Sequence, residues 1–118
     1  MQELLREASA LGDKQRQFTL ILAKLILYAY SRGYELTLGE GYVDDGKGHM
    51  PGSVHYVRIA QDLNMFKNKV WLDKGAEMVE GFSILHDFWD AIGGSKRIDK
   101  DLNHFSLEYQ GRRIADVD

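Results

Sequence analysis

Two short groups of histidine and aspartate, about forty residues apart, constrain the fold of this 118-residue chain more than any other feature. The first group places His55 and Asp62 in the pattern SxHxxxxAxD, and the second places Asp101 and His104 in the pattern DxxHF. A catalytic zinc ion usually takes three protein ligands from imidazole and carboxylate groups and leaves a fourth position for water. Two histidines and one aspartate fit that number, so the pattern indicates one metal site assembled from distant segments.

The spacing within the first group predicts a sharp bend in the chain. Residues 56–66 alternate between apolar and polar side chains and favour an extended strand. A strand advances about 3.3 Å per residue, so seven extended residues would separate His55 from Asp62 by roughly 20 Å. That distance is too long for one shared ion. We therefore expect a bend between the two residues, for example a loop at His55 followed by a turn.

The second group places a carboxylate close to an imidazole. Asp101 precedes His104 by three residues, which is one turn of a helix or a tight turn of irregular chain. Either geometry sets the Asp101 carboxylate beside a metal-bound imidazole. A general base for hydrolysis needs such a position, close to the attacking water but outside the set of metal ligands.

Three segments carry a family resemblance, namely SVHYVRIAQDLNMF, GFSILHDFWDAIGG and DLNHFSLEYQGRR. They resemble the zinc peptidases of the D-Ala-D-Ala carboxypeptidase and L-alanyl-D-glutamate endopeptidase group, whose usual pattern is SxHxxGxAxD with a later (D/E)xxH. Phage endolysins of this group are most similar, because they often show SLHxxRLAxDLNLF, and Arg58 stands here in the glycine position. The resemblance runs from about residue 36 to the end of the chain.

The resemblance implies a role for each residue of the two groups. His55, Asp62 and His104 are implied to bind Zn²⁺, Asp101 to act as base and proton shuttle, and Ser53 to line the substrate site. The implied function is a zinc-dependent peptidoglycan peptidase, most like a phage endolysin, that hydrolyses the L-Ala–D-Glu bond of the stem peptide. A D-Ala-D-Ala carboxypeptidase and a non-catalytic, zinc-containing cell-wall-binding module remain as alternatives.

The chain departs from the family pattern in two places. The segment GEGYVDD puts Val43 where the group generally carries an arginine after a GY or AY pair, and the tryptophan-glycine-glycine segment is reduced to residues 93–95. Arg58 and Tyr42 are the two candidates for the missing electrophilic partner, and the sequence does not rank them. The absent arginine favours the endopeptidase, because a carboxypeptidase must hold a free substrate carboxylate.

Composition bounds the class of protein. A length of 118 residues predicts a single catalytic domain, 1–118, without a separate cell-wall-binding domain. The absence of cysteine excludes disulfides and thiolate ligands, so any zinc must rely on nitrogen and oxygen. A net charge of -3 with scattered basic residues gives no case for nucleic acid, and the expected partner is the peptidoglycan stem peptide.

The sequence also predicts where the protein acts. The segment MQELLREASA lacks an apolar run and is not a signal peptide. The most hydrophobic stretch, residues 18–30, is interrupted by Lys24 and is shorter than the roughly 20 apolar residues of a membrane span. We expect a monomer without membrane contact, made in the host cytoplasm without a signal peptide and acting on the cell wall after release.

Periodicity predicts an α+β fold with a small, mostly antiparallel sheet packed against two or three helices. Helices are predicted over residues 2–10, 14–31 and 77–92, ended by Gly12, Gly33 and the pair Gly93–Gly94 respectively. Strands are predicted over residues 34–42, 56–66, 69–73 and 105–109, with a hairpin turn at Lys67 and Asn68. Residues 44–52 contain three glycines and the only proline, and they predict a loop.

Several side chains remain open between a structural and a functional role. His86 is more often a packed or surface residue than a border of the cleft, and His49 is more often an exposed loop residue than a contact of substrate or metal. Trp71 and Trp89 are most simply core or rim aromatics. Glu40 lies on a strand expected to face the cleft, where substrate contact and plain strand polarity are equally favoured.

Overall fold

The computed structural model describes residues 2–40 and 59–108, with the side chains described from residue 10 onward. This part of the chain forms two helices and four strands. In chain order they are α1 (Gln2–Ser31), β1 (Glu35–Leu38), β2 (Ala60–Lys67), β3 (Val70–Trp71), α2 (Ala76–Ala91) and β4 (His104–Ser106). All strand pairs are antiparallel, so the α+β fold with a small antiparallel sheet is confirmed.

Helix α1 packs one apolar stripe against the rest of the protein. Phe18, Ile21, Leu25 and Ala29 recur at intervals of three and four residues, and all four are buried. The prediction of two separate helices is wrong, because α1 continues through Gly12. A glycine inside a helix costs only about 1 kcal/mol relative to alanine, which is too little to end a helix that the apolar stripe anchors further along.

Both helices end at the predicted glycines, and they end in the same way. Gly33 has φ +88° and Gly93 has φ +101°, in the left-handed region that favours glycine. After α1, the N–H of Tyr34 donates to the carbonyl of Ala29, and the N–H of Gly33 donates to the carbonyl of Tyr30. These two bonds form a Schellman motif, and equivalent bonds from residues 93 and 94 close α2.

Strand β2 is the centre of the sheet. β1 pairs along one edge, with Leu38 opposite Leu63 and Glu35 opposite Phe66. The other edge is shared, since β4 pairs with Ala60–Asp62 and β3 pairs with the far end of the strand. The hairpin between β2 and β3 is confirmed, but its turn residues are Asn68 and Lys69, with φ 52° and 67°. Positive φ at both positions is typical of a type I′ turn, whose twist suits a two-residue hairpin.

The core lies between α1, α2 and one face of this sheet. Leu63 and Met65 alternate on β2 and have no exposed surface, and Phe105 of β4 is equally buried. Phe105 contacts Trp89 edge to face, with ring centroids 5.7 Å apart. The indole N–H of Trp89 donates to the carbonyl of Ser106 at 3.0 Å, so α2 is tied directly to β4. Because alternate strand residues point to opposite faces, Asp62 and His104 lie on the face away from the two helices.

Candidate metal centre

The backbone of Asp62 is held on one edge of β2 by the two residues that follow β1. The N–H of Gly39 donates to the carbonyl of Asp62, and the N–H of Asp62 donates to the carbonyl of Glu40, both at 2.8 Å. The two residues directly after β1 therefore oppose one residue of β2, which is the arrangement of a β-bulge. The side-chain amide of Gln61 donates to the carbonyls of Gly39 and Asp62 at 3.1 and 2.9 Å. These bonds fix the backbone that carries the Asp62 carboxylate.

The strand register places Asp62 directly opposite His104. Backbone bonds join Leu63 to Asn103 and Leu107 to Ile59, so the Asp62–His104 pair between them is a non-hydrogen-bonded pair. Side chains approach each other most closely at such pairs. The Nδ1 atom of His104 lies 3.2 Å from Oδ1 of Asp62, and only 2% and 17% of these side chains are exposed. Regular pairing of β2 with β4 thus brings together two residues that are far apart in the sequence.

Asp101 joins this pair through two consecutive tight turns. The N–H of Asp101 bonds to the carbonyl of Ile98 at 2.8 Å, and the N–H of His104 bonds to the carbonyl of Asp101 at 3.1 Å. Of the two geometries that the sequence allowed for residues 101–104, the structure has the turn and not the helix. One donor atom from each of Asp62, Asp101 and His104 lies within 4.8 Å of the other two. This partly buried group could hold a metal ion.

The donor set fits zinc in chemistry, and one of its pairs also fits in spacing. It offers one imidazole nitrogen and two carboxylates, and zinc accepts both kinds of ligand. Two ligand atoms that each lie about 2.1 Å from a tetrahedral ion are roughly 3.4 Å apart. The 3.2 Å between His104 Nδ1 and Asp62 Oδ1 is close to that value, so this pair needs little movement to share one ion.

His86 of α2 supports the turn that carries Asp101 and His104. Its Nε2 atom lies 2.7 Å from the carbonyl oxygen of Leu102, and its ring stacks on Phe105 with centroids 4.2 Å apart. Burial lowers the pKa of His86 from 6.5 to about 4, so the ring is neutral at pH 7. Since a carbonyl only accepts, Nε2 carries the proton, and Nδ1 has no hydrogen-bond partner among the described residues. His86 is therefore a packed residue, the more frequent of its two sequence interpretations.

Four of the predicted site residues lie outside the described part of the chain: the ligand His55 and the substrate contacts Ser53, Arg58 and Tyr42. The same holds for Val43 and His49, and for the bend expected between His55 and the start of β2. Within the described residues, the structure brings together Asp62, Asp101 and His104.

Sequence reasoning missed two side chains that shape this site. It did not anticipate that His86 would bond to the Leu102 carbonyl, or that Gln61 would hold the bulge at Gly39. Neither contact has a sequence signal, because both partners are backbone carbonyls.

Comparison of the chain with protein families, curated proteins and solved structures finds no match in any of the three. Among the described residues, no helix has the length and apolar character needed to cross a membrane.

Proposed function

We propose that this chain is a zinc-dependent peptidase of bacterial cell-wall peptides, of the kind that phage endolysins use on the L-Ala–D-Glu bond of the stem peptide. The observation that carries the proposal is that Asp62 and His104, on one face of the sheet, and Asp101, on the adjoining turn, have donor atoms within 4.8 Å of one another. These are three of the four residues to which the family resemblance assigns metal binding or proton transfer. Asp101 and His104 are close in sequence, but Asp62 lies 42 residues before His104. Its approach to them supports the proposal, because the motif spacing alone does not require it.

In this proposal Asp62 and His104 hold the ion together with His55. When bound, zinc would polarise the scissile carbonyl and lower the pKa of a nearby water molecule. One carboxylate and two neutral imidazoles leave a net positive charge at the centre. The bulge at Gly39 and the pairing with β4 hold the Asp62 carboxylate on a rigid strand, which limits movement of the ligands.

Asp101 is the proposed general base. It lies on a turn, not on a strand, and it is more exposed than His104, so substrate and water can reach its carboxylate. We infer that it accepts the proton of the attacking water and later delivers that proton to the leaving amine. An aspartate has a shorter reach than a glutamate, and the two turns from residue 98 to residue 104 supply the close approach that this role needs.

The proposed localisation follows from the substrate. In this proposal the protein acts on the bacterial cell wall, where the stem peptides lie.

The decisive experiment combines metal analysis with digestion of purified peptidoglycan. We expect about one zinc per chain in the wild type, loss of zinc in Asp62→Asn and His104→Ala, and retained zinc without turnover in Asp101→Asn. Asp13→Asn is the matched control, because it removes the same charge from an exposed position on α1. Mass spectrometry of the released peptides identifies the cleaved bond from the new termini.

Each outcome assigns a function. New L-Ala carboxyl and D-Glu amino termini support the endopeptidase, while release of D-Ala alone identifies a carboxypeptidase. Zinc-loaded protein that binds peptidoglycan but leaves it intact would be a non-catalytic module, and the enzyme proposal would be abandoned.

A further inference from the structure

A cavity of about 350 Å³ lies beside the candidate metal centre. It is bounded by β2 and β3, by the first half of α2, and by residues 99–103. Asp101 belongs both to the wall of this cavity and to the group that could hold a metal ion. A molecule in the cavity would therefore lie next to Asp101, the one residue that the cavity shares with this group. The volume falls at the lower end of the range for ligand sites, which suits a single side chain with its backbone.

The inner wall of the cavity is apolar. Met65, Leu72 and Phe82 line it and are buried, and Met78 adds a partly buried, flexible thioether side chain. Such a wall accommodates an aliphatic chain, whose burial is favourable by about 0.8 kcal/mol per CH₂ group.

Charged side chains complete the lining of the cavity. Asp73 and Asp99 are exposed, and neither forms an ion pair with a residue in the described part of the chain. Among the residues that the structure describes, these two and Asp101 place three carboxylates at the cavity, against the one ammonium of Lys100. The charge that the described lining residues contribute is therefore negative, and an apolar wall lies behind it. This combination complements an aliphatic chain that ends in a positive charge.

We propose that this cavity binds the aliphatic ammonium side chain of a diamino acid residue in the substrate peptide, such as lysine or diaminopimelate in a peptidoglycan stem peptide. The assignment rests on the proposed peptidase function and adds a specificity determinant to it. The methylene groups lie against Met65 and Phe82, and the ammonium group lies between Asp73 and Asp99. The peptide backbone then passes Asp101, and this path brings the bond to be cut to the metal centre.

The test measures binding of a peptide that cannot be cut at the proposed bond. The probe is the tripeptide γ-D-Glu-L-Lys-D-Ala, and the matched probe replaces lysine by norleucine, which keeps the methylene chain and removes the ammonium. Calorimetric titrations with wild type are performed with zinc and with a chelator. We expect the lysine peptide to bind roughly three- to tenfold more tightly than the norleucine peptide, the range that two exposed carboxylates supply.

Variants then assign this preference to the cavity. The double substitution Asp73→Asn and Asp99→Asn should remove the preference for lysine and leave norleucine binding unchanged, whereas Asp13→Asn should leave both affinities as in the wild type. Equal binding of the two peptides by the wild type, binding of neither, or a preference that survives in the double variant would overturn the inference.

The two proposals fail separately in this design. A lysine preference in a protein that leaves peptidoglycan intact would support the assignment of the cavity and refute the peptidase function. Cleavage of peptidoglycan without a lysine preference would support the peptidase function and refute the assignment of the cavity.

Discussion

Replacement of His86 by glutamine tests how the buried ring contributes to stability. The folded protein keeps this ring neutral, with a pKa of about 4, whereas the unfolded chain has the ordinary value of 6.5. Between these two values the unfolded state binds one more proton than the folded state, so stability falls as the pH falls. The contribution is fully present above pH 6.5 and is lost as the pH approaches 4. A glutamine can still donate an N–H to the Leu102 carbonyl, but it does not titrate.

The size of the effect follows from the two pKa values. One pKa unit corresponds to 1.36 kcal/mol, so wild type should lose about 3 kcal/mol more than His86→Gln between pH 7 and pH 4. That is a large part of the roughly 5–15 kcal/mol by which domains are stable. The groups whose charges act on the ring are Arg97, Asp90 and His104, and all three are common to both proteins.

Urea unfolding from pH 4 to pH 7, in the presence of a chelator, measures the difference. The chelator removes any metal-dependent stability, so that the comparison isolates residue 86. His86→Leu serves as a second comparison, because it abolishes both the titration and the bond to Leu102, and it should be less stable than His86→Gln at pH 7 by about 1–3 kcal/mol. Parallel loss of stability in wild type and His86→Gln over this pH range would refute the reasoning.

Three further predictions concern packing and metal binding. Gly94→Ala should destabilise the protein by about 3 kcal/mol or more in urea unfolding, because the added Cβ would overlap the indole nitrogen of Trp89. This nitrogen already donates its proton to the Ser106 carbonyl, so the ring has little room to move. Unchanged stability of the variant would contradict the packing described. Gly81→Ala should lower the free energy of unfolding by only about 1 kcal/mol, since a gain of helix propensity near 1 kcal/mol offsets part of the overlap with the thioether of Met65. A loss of stability as large as that of Gly94→Ala would contradict this prediction. Zinc at a hundred times its dissociation constant should raise the melting temperature by roughly 10 °C, an increase that Asp62→Asn abolishes; an equal rise in the variant would place the ion elsewhere.

Local features of the fold were predictable from the sequence because their physical causes are local. The helix ends at Gly33 and Gly93 require a left-handed residue at one position, and glycine supplies it. The alternation of β2 follows from one buried face, and this strand spans Ala60–Lys67. The predicted start of the strand, residues 56–58, lies outside the described part of the chain. The single N-terminal helix was not predicted, because an apolar stripe outweighs the cost of Gly12.

The geometry of the site was only partly predictable. The motif spacing selected Asp62, Asp101 and His104, but it could not supply the register that sets Asp62 opposite His104. That register depends on a strand of only three residues, which begins at His104 because a turn delivers the chain there, one residue before the predicted start. The contact from His86 to Leu102 joins two elements that are far apart in sequence, and no spacing rule predicts it.

The pairing of β2 with β4 has a consequence for folding kinetics. It encloses the hairpin and the whole of α2, so its closure carries the entropy of a long loop and should come late in folding. A ligand that bridges Asp62 and His104 would then stabilise the native state more than the transition state. Bound metal should accordingly slow unfolding and leave the folding rate nearly unchanged. The ion would then add kinetic stability to a chain that has already folded.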